Sequence, residues 1–210
     1  MTPDAAPTGT CAAAAAGPPP PFVPRQVIVF SGHMMDAPGR KPPRFPPAKE
    51  AAVAARIVQA LDALGAGPAD VALSQAAAGG DLLFVEAALQ RGVAVQVLLP
   101  FAEAEFIERS VRPSQHGEGW VARYHAVRDA LPQPPRVMSV ELGPTPAGDD
   151  DFERANRWLL DTALACSAER VRFVCLWDGG GGDGPGGTRH MVDEVKRRAG
   201  RVTWIDIRDL

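Results

Sequence analysis

The chain has 210 residues, 46% of them hydrophobic and 22% charged, which is enough apolar surface for one packed domain and too much for a disordered chain. A formal net charge of −3 argues against a broad nucleic-acid surface, which would show as a basic face. Three cysteines, an odd number without metal-ligand spacing, argue against a disulfide framework and fit cytosolic thiols.

Residues 1–24 are mostly Ala, Pro, Gly and Thr. Such a stretch buries too little to offset its ordering entropy and reads as a flexible arm or a linker. It has neither a basic start nor a long Leu/Val-rich run, so it does not read as a signal peptide. No apolar run approaches the roughly 20 residues of a membrane span, and a cytoplasmic protein with no membrane partner is expected.

The β-branched run at 26–30 predicts a strand buried on both faces, as in a parallel sheet. Ser31, Gly32 and His33 end it in a small-residue turn, and a proline-rich basic loop with Asp36, Arg40, Lys41 and Arg44 follows. Pro46 or Pro47 opens a helix over 48–64. Val53, Ile57, Leu61 and Leu64 make one of its faces apolar, and Gly65 and Gly67 stop it. A strand at 71–74 leads through QAAAGGD into a helix over 81–90. A strand at 93–99 precedes a helix with acidic residues in its first turns, where the helix dipole favours them. A turn is expected at 113–119 and a helix over 120–131. The sequence RVMSVEL predicts a fourth strand at 136–142. Asp149, Asp150 or Asp151 is placed to cap a helix over 152–167. A fifth strand at 171–177 runs into a glycine-dense loop, 179–188. Thr188 then caps a helix ending near Gly200, and 202–207 is a final strand.

Strands alternating with helices predict a single-domain α/β fold over 25–210. Its sheet is Rossmann-like, doubly wound and mostly parallel, with helices on both faces. Ligands bind such sheets beyond the C-terminal strand ends, near where the strand order reverses. Three small-residue turns belong to that kind of edge: Ser31-Gly32-His33, the turn with Gly79, Gly80 and Asp81, and the glycine-dense loop.

In that loop Gly184, Pro185, Gly186, Gly187 and Thr188 read as a phosphate cradle. Glycines let backbone N–H groups approach an anion at a helix start, and Thr188 adds a hydroxyl. Asp183 to Thr188 is the informative part, and 179–182 reads as slack. Neither GxxxxGK[ST] nor GxGxxG occurs in usable context, so this is neither a Walker loop nor a dinucleotide fingerprint. Ser31 and Gly32 leave room for a ligand that the Ser31 hydroxyl and His33 would contact. Arg40 and Arg44 suit a phosphate or carboxylate. Asp81 either caps its helix or meets a ribose hydroxyl. Glu153, Asn156 and Arg157 cluster on the first turns of one helix, where Arg157 is placed to reach a phosphate. The histidines have no metal-ligand spacing, so no metal and no cofactor is called for. Cys175, inside an apolar strand, is expected to be inert.

The segments VIVFSGHMMD, AAAGGDLLFVEAALQRGVAVQVLLPF, FERANRWLLDTA and GDGPGGTRHMVDE together resemble the SLOG superfamily. That group joins the DNA-processing (DprA/Smf) fold to the Lonely-guy and lysine-decarboxylase-like proteins. The likeness spans about residues 25–208. It is narrowest to bacterial SLOG-like modules, alone or fused to signalling or conflict-system domains. It implies a Rossmann-like fold, a nucleotide or nucleotide-derived ligand, an effector or fused signalling partner, and possible homodimers. Lonely-guy enzymes carry a PGGxGTxxE loop whose glutamate works with an arginine of the preceding helix to split a nucleoside monophosphate. Pro185-Gly186-Gly187 matches the start of that loop, Thr188 is near its threonine, and Arg157 is similar to its arginine. The xG step is missing, and the acids Asp193 and Glu194 lie further along the helix, turned away from the family's glutamate. The binding half of the motif is kept better than the catalytic half. A nucleotide sensor is therefore the leading expectation, a phosphoribohydrolase using Arg157 and Glu194 the second, and a scaffold without ligand the third.

Overall fold

Six runs of β-branched and aliphatic residues pair into one all-parallel sheet: β1 Val27–Gly32, β2 Val71–Ser74, β3 Ala94–Leu99, β4 Arg136–Val137, β5 Val171–Trp177 and β6 Val202–Asp206. Their order across the sheet is β4-β3-β2-β1-β5-β6. The computed structural model describes residues 23–180, 187–198 and 201–210. The expectations for the N-terminal arm up to residue 22 and for Asp183, Gly184, Pro185 and Gly186 lie outside the described residues.

Burial on both faces explains the composition of the central strand. Along β1, Ile28 and Phe30 point into one hydrophobic cluster while Val27 and Val29 point into the other. This period-two split is what a covered parallel strand requires. One face is covered by α1 Glu50–Ala63, α2 Gly80–Gln90, α3 Glu103–Ser110 and α4 Gly117–Ala130. There Phe84 of α2 stacks on Phe30 with ring centroids 4.7 Å apart. The other face is covered by α6 Asp151–Leu164 and α7 Thr188–Arg198. They bury Trp158, Leu159 and Ala163, and Met191, Val192 and Val195, against the sheet. The buried Leu, Val and Met side chains each stabilise the fold by about 1.5–3 kcal/mol.

The chain therefore walks outward from β1 through β2 and β3 to β4. The α6 segment then carries it back across the opposite face to β5, which pairs with β1 from Val27↔Val171 to Gly32↔Leu176. The strand order reverses between β1 and β5. This is a Rossmann-like α/β fold, with the switch point at the centre of the sheet.

Two elements differ from expectation. The strand predicted at 136–142 is only the two residues of β4, followed by the short helix α5 Met138–Leu142. At this sheet edge only Met138 is buried in the turn of helix, while Val140 is 81% exposed. Period-two burial has nothing to pack against there, and Arg136 closes on Glu141 instead. The helix expected over 120–131 begins earlier, at Gly117, after His116 in the left-handed region at φ 63°. A Cβ on Gly117 would lie 2.1 Å from the Arg112 carbonyl oxygen, so only glycine fits this tight turn. Of the three candidate caps before α6, Asp150 is the one used, accepting the Glu153 N–H at 2.8 Å. Among the described residues no helix is long and apolar enough to cross a membrane.

The N-terminal edge of the sheet is closed by Asp70, whose side chain is fully buried. It accepts from Arg25 Nε at 3.0 Å and Nη2 at 2.7 Å, from Gln26 Nε2 at 3.1 Å and from the Gly67 N–H at 2.9 Å. Burial alone would raise its pKa. The Arg25, Gln26 and Gly67 hydrogen bonds and the Arg25 charge outweigh burial and hold it below the ordinary carboxylate value.

Candidate functional site

The opposite, C-terminal edge gathers the loops after β1, β2 and β5. Gly32 ends β1 where a Cβ would sit 2.8 Å from Phe30 Cε1 and 3.0 Å from Leu176 Cβ, so this strand end admits no side chain. The chain then folds back over the start of α2. Met35 N–H donates to the Ala78 carbonyl at 3.0 Å, and Gly80 N–H donates to the His33 carbonyl at 3.1 Å. Gly79 has φ +103°, and a Cβ there would lie 2.4 Å from Met35 N. Gly79 and Gly80 thus permit a close approach of backbone to backbone. The AGGD turn is covered by residues 33–35, and its glycines carry chain rather than open space.

Asp81 sits beneath this contact. It accepts the Gly32 N–H at 3.2 Å and is also held by the Ser74 hydroxyl and the backbone at Gln75 and Ala77. Burial is the largest influence and pushes its carboxyl up to about 7 against these four neutral donors.

His33 is buried, and its ring turns to the end of β5. Its Nε2 accepts the Asp178 N–H at 3.0 Å and lies 3.3 Å from Asp178 Oδ1. The loops on either side of the switch point are therefore pinned together. Burial raises the Asp178 pKa, but the Gly180 N–H and the neighbouring His33 and Arg44 outweigh it and hold this carboxyl below its ordinary value. Asp178 Oδ1 accepts the Gly180 N–H at 2.8 Å, and Trp177 Nε1 donates to the Gly180 carbonyl at 3.1 Å. The first two glycines of the loop are thus built into a turn, where slack was expected.

Ser31 lies on β1, opposite Cys175 of β5. Arg40 and Arg44 line a pocket beside the β1 loop. Asp36 organises them: its Oδ2 accepts the Arg44 N–H at 2.9 Å, and its Oδ1 is 3.5 Å from Arg40 Nε.

On the other side of the switch point, α7 begins at Thr188, which is buried, next to Gly187. Its first turn faces the polar start of α6. Arg157 Nη1 donates to Glu153 Oε1 at 2.8 Å. His190 Nε2 lies 3.6 Å from Glu153 Oε1 and 3.8 Å from Glu194 Oε1, and Arg197 also binds Glu194. Arg157 and Glu194, the two expected catalytic residues, thus belong to one network bridged by Glu153 and His190. Asn156 is turned inward, its Oδ1 accepting from Gln75 Nε2 at 2.9 Å, and so ties α6 to the end of β2.

Sequence reasoning missed Asp178, His190, Asp36 and Ser114 as members of this edge. The position of Asp178 directly after the fifth strand, and of His190 two residues after Thr188, which was expected to cap α7 and is instead its first residue, were the available signals. Ser114 gave none. Among the described residues no group of His, Cys, Asp and Glu is arranged to hold a metal ion. The Cys175 thiol is pushed up to about 12 by burial, which leaves it protonated and a poor nucleophile.

No protein-family model and no curated protein sequence matches the chain.

Proposed function

We propose that the C-terminal edge beside the β1/β5 switch point binds a nucleotide or nucleotide-derived small molecule, and that the protein acts as a sensor or signalling module. The observation that carries this reading is that, where the strand order reverses, the β1 loop is pinned to the end of β5 through His33 and Asp178, and the first turn of the following helix α7 faces the polar start of α6 through His190 and Glu153. A helix N-terminus offers unpaired N–H groups and the positive end of its dipole to a phosphate. Gly187 allows close approach, the Thr188 hydroxyl adds a hydrogen bond, and Arg44 and Arg157 add positive charge on either side. The resemblance of GDGPGGT and AGGD to the SLOG superfamily supports the same ligand class, and an effector that reads the bound state belongs to this reading.

A phosphoribohydrolase is the second reading, favoured by the shared network of Arg157 and Glu194. Against it, Arg157 is engaged by Glu153, and Glu194 by Arg197 and His190. Each partner therefore neutralises a group that hydrolysis would need at the ligand.

Calorimetric titration of the full chain with nucleoside 5′-monophosphates tests the first reading. Gly187→Asp places a negative charge at the helix start and is expected to weaken binding about a hundredfold, with an unchanged melting temperature. Equal affinity in wild type and variant would overturn the cradle. Release of free base during incubation would replace the sensor with the hydrolase.

A further inference from the structure

A pocket of about 180 Å³ opens between the loop that follows β1 and the turn joining α3 to α4. Met34, Met35 and Pro113 give it apolar walls, with Arg40 and Arg44 beside them. Two further lining residues, Asp36 and Ser114, are only 6% and 3% exposed. Among the described residues, Asp36 Oδ1 and Ser114 Oγ are buried without a hydrogen-bond partner. The other Asp36 oxygen already accepts the Arg44 N–H, and Oδ1 has only the 3.5 Å ion pair to Arg40.

A buried acceptor left unpaired bears its full desolvation cost, and native structures carry few of them. The chemistry that would satisfy these two atoms is specific. Asp36 Oδ1 needs a donor. Ser114 Oγ can donate to an acceptor close by. Thioether and guanidinium groups favour a flat, polarisable body between them. A fully ionised oxyanion is drawn by Arg40 and Arg44 but brings no donor to Asp36 Oδ1, and so leaves that acceptor unpaired. The volume is below the roughly 300–1,000 Å³ of sites that enclose drug-sized ligands, so it suits one ring system rather than a whole nucleotide.

We propose that this pocket receives a planar nitrogen heterocycle bearing an amino group, the amino N–H donating to Asp36 Oδ1 and a ring nitrogen or carbonyl accepting from the Ser114 hydroxyl. The inference rests on the nucleotide reading in that it assigns the place of a base, yet the pocket is testable without any phosphate. Arg44 connects the two regions, since it lines the pocket and also lowers the pKa of Asp178 at the end of β5.

The full chain, labelled with ¹³C in its methionine methyl groups, reports the pocket directly. Met34 and Met35 line it, whereas Met138 and Met191 lie in the core on the opposite face and serve as controls. Adenosine, guanosine and cytidine are titrated, each against its counterpart without the amino group: purine riboside, inosine and uridine. Saturable shifts of Met34 and Met35 are expected with at least one amino-bearing nucleoside, with Met138 and Met191 unmoved. Binding about tenfold weaker is expected for the matching counterpart and for Ser114→Ala, because a buried polar atom is left unpaired or removed. The Ser114 backbone N–H still bonds Val111 in that variant, and the nucleoside comparison needs no variant at all. Unmoved Met34 and Met35 with all three nucleosides, equal affinity for both members of each pair, or shifts produced only by inorganic phosphate would overturn the proposal. If a nucleoside moves Met34 and Met35 but its 5′-monophosphate binds no tighter, the pocket stands and the phosphate cradle falls. If the monophosphate binds while both methionines stay still, the reverse holds.

Discussion

Asp70 and Asp81 are both buried aspartates, each surrounded by four hydrogen bonds, one at each edge of the sheet, and their acidities move in opposite directions. At the N-terminal edge two of the Asp70 bonds come from the Arg25 guanidinium, whose charge favours the carboxylate. At the C-terminal edge the donors to Asp81 are all neutral, and desolvation wins. Depth of burial and the nature of the donors, more than the number of hydrogen bonds, decide whether a buried carboxyl stays ionised. The edges also differ in what they leave unpaired. The Asp70 cluster is closed on itself, whereas Asp36 Oδ1, Ser114 Oγ and His190 Nδ1, all belonging to the opposite edge, are buried without hydrogen-bond partners among the described residues. One edge satisfies its buried polar groups within the chain, and the other is where the proposed ligand would satisfy them.

The largest effect that tests this contrast is in pH. The folded-state pKa of Asp81, about 7, lies above the ordinary aspartate value of 3.8. Between about pH 4 and 7 the folded state therefore holds a proton that the unfolded state has lost, so stability falls as pH rises through that window, by an amount on the order of 4 kcal/mol. Urea unfolding from pH 4 to 8 should show this fall in wild type and lack it in Asp81→Asn. Parallel slopes in the two proteins would remove Asp81 from the account.

Asp70 has the opposite sign. Its stabilisation is present above the ordinary carboxylate pKa and is lost as pH falls through the depressed folded value. Asp70→Ala leaves the Gln26 and Gly67 donors without their acceptor and should cost about 2–3 kcal/mol at pH 7, while nucleotide affinity stays unchanged. A loss below about 1 kcal/mol would show the cluster to be screened by water.

Gly79→Ala strains a backbone at φ +103° and drives a Cβ against Met35 N. It should cost about 2 kcal/mol and, unlike Asp70→Ala, also weaken ligand binding by shifting the β1 loop. Unfolding and binding measured on both variants separate the two edges. The smallest effect concerns thiols: Cys166 is exposed and Cys175 buried, so alkylation of native protein should label Cys166 and spare Cys175 until unfolding.

Much of the fold was legible because the pattern is strong. The β-branched runs of β1, β3 and β5 and the apolar stripe Val53, Ile57, Leu61 needed no tertiary information. The fourth strand was misread because RVMSVEL alternates correctly, yet the sheet edge gives its outer half no neighbour. At the site, the glycine-rich turns were visible, but not what they carry. Gly79 was expected in a ligand-binding turn and instead lets residues 33–35 pass at backbone distance. The His33–Asp178 pin joins residues 145 apart in sequence, a separation at which no local spacing rule operates. Asp36 was visible only as part of a basic loop, and nothing in PSQHG marks Ser114 as a pocket wall.

The central claim is that the C-terminal edge holds a nucleotide-type ligand. Its most direct test is mass spectrometry of small molecules released by denaturing the freshly purified full chain, wild type beside Gly187→Asp. The account predicts a phosphorylated, base-containing compound in near-equal ratio to wild-type protein and its loss from the equally stable variant. The same compound in equal amount in both proteins would contradict it, as would a wild type that releases none and binds no added nucleotide.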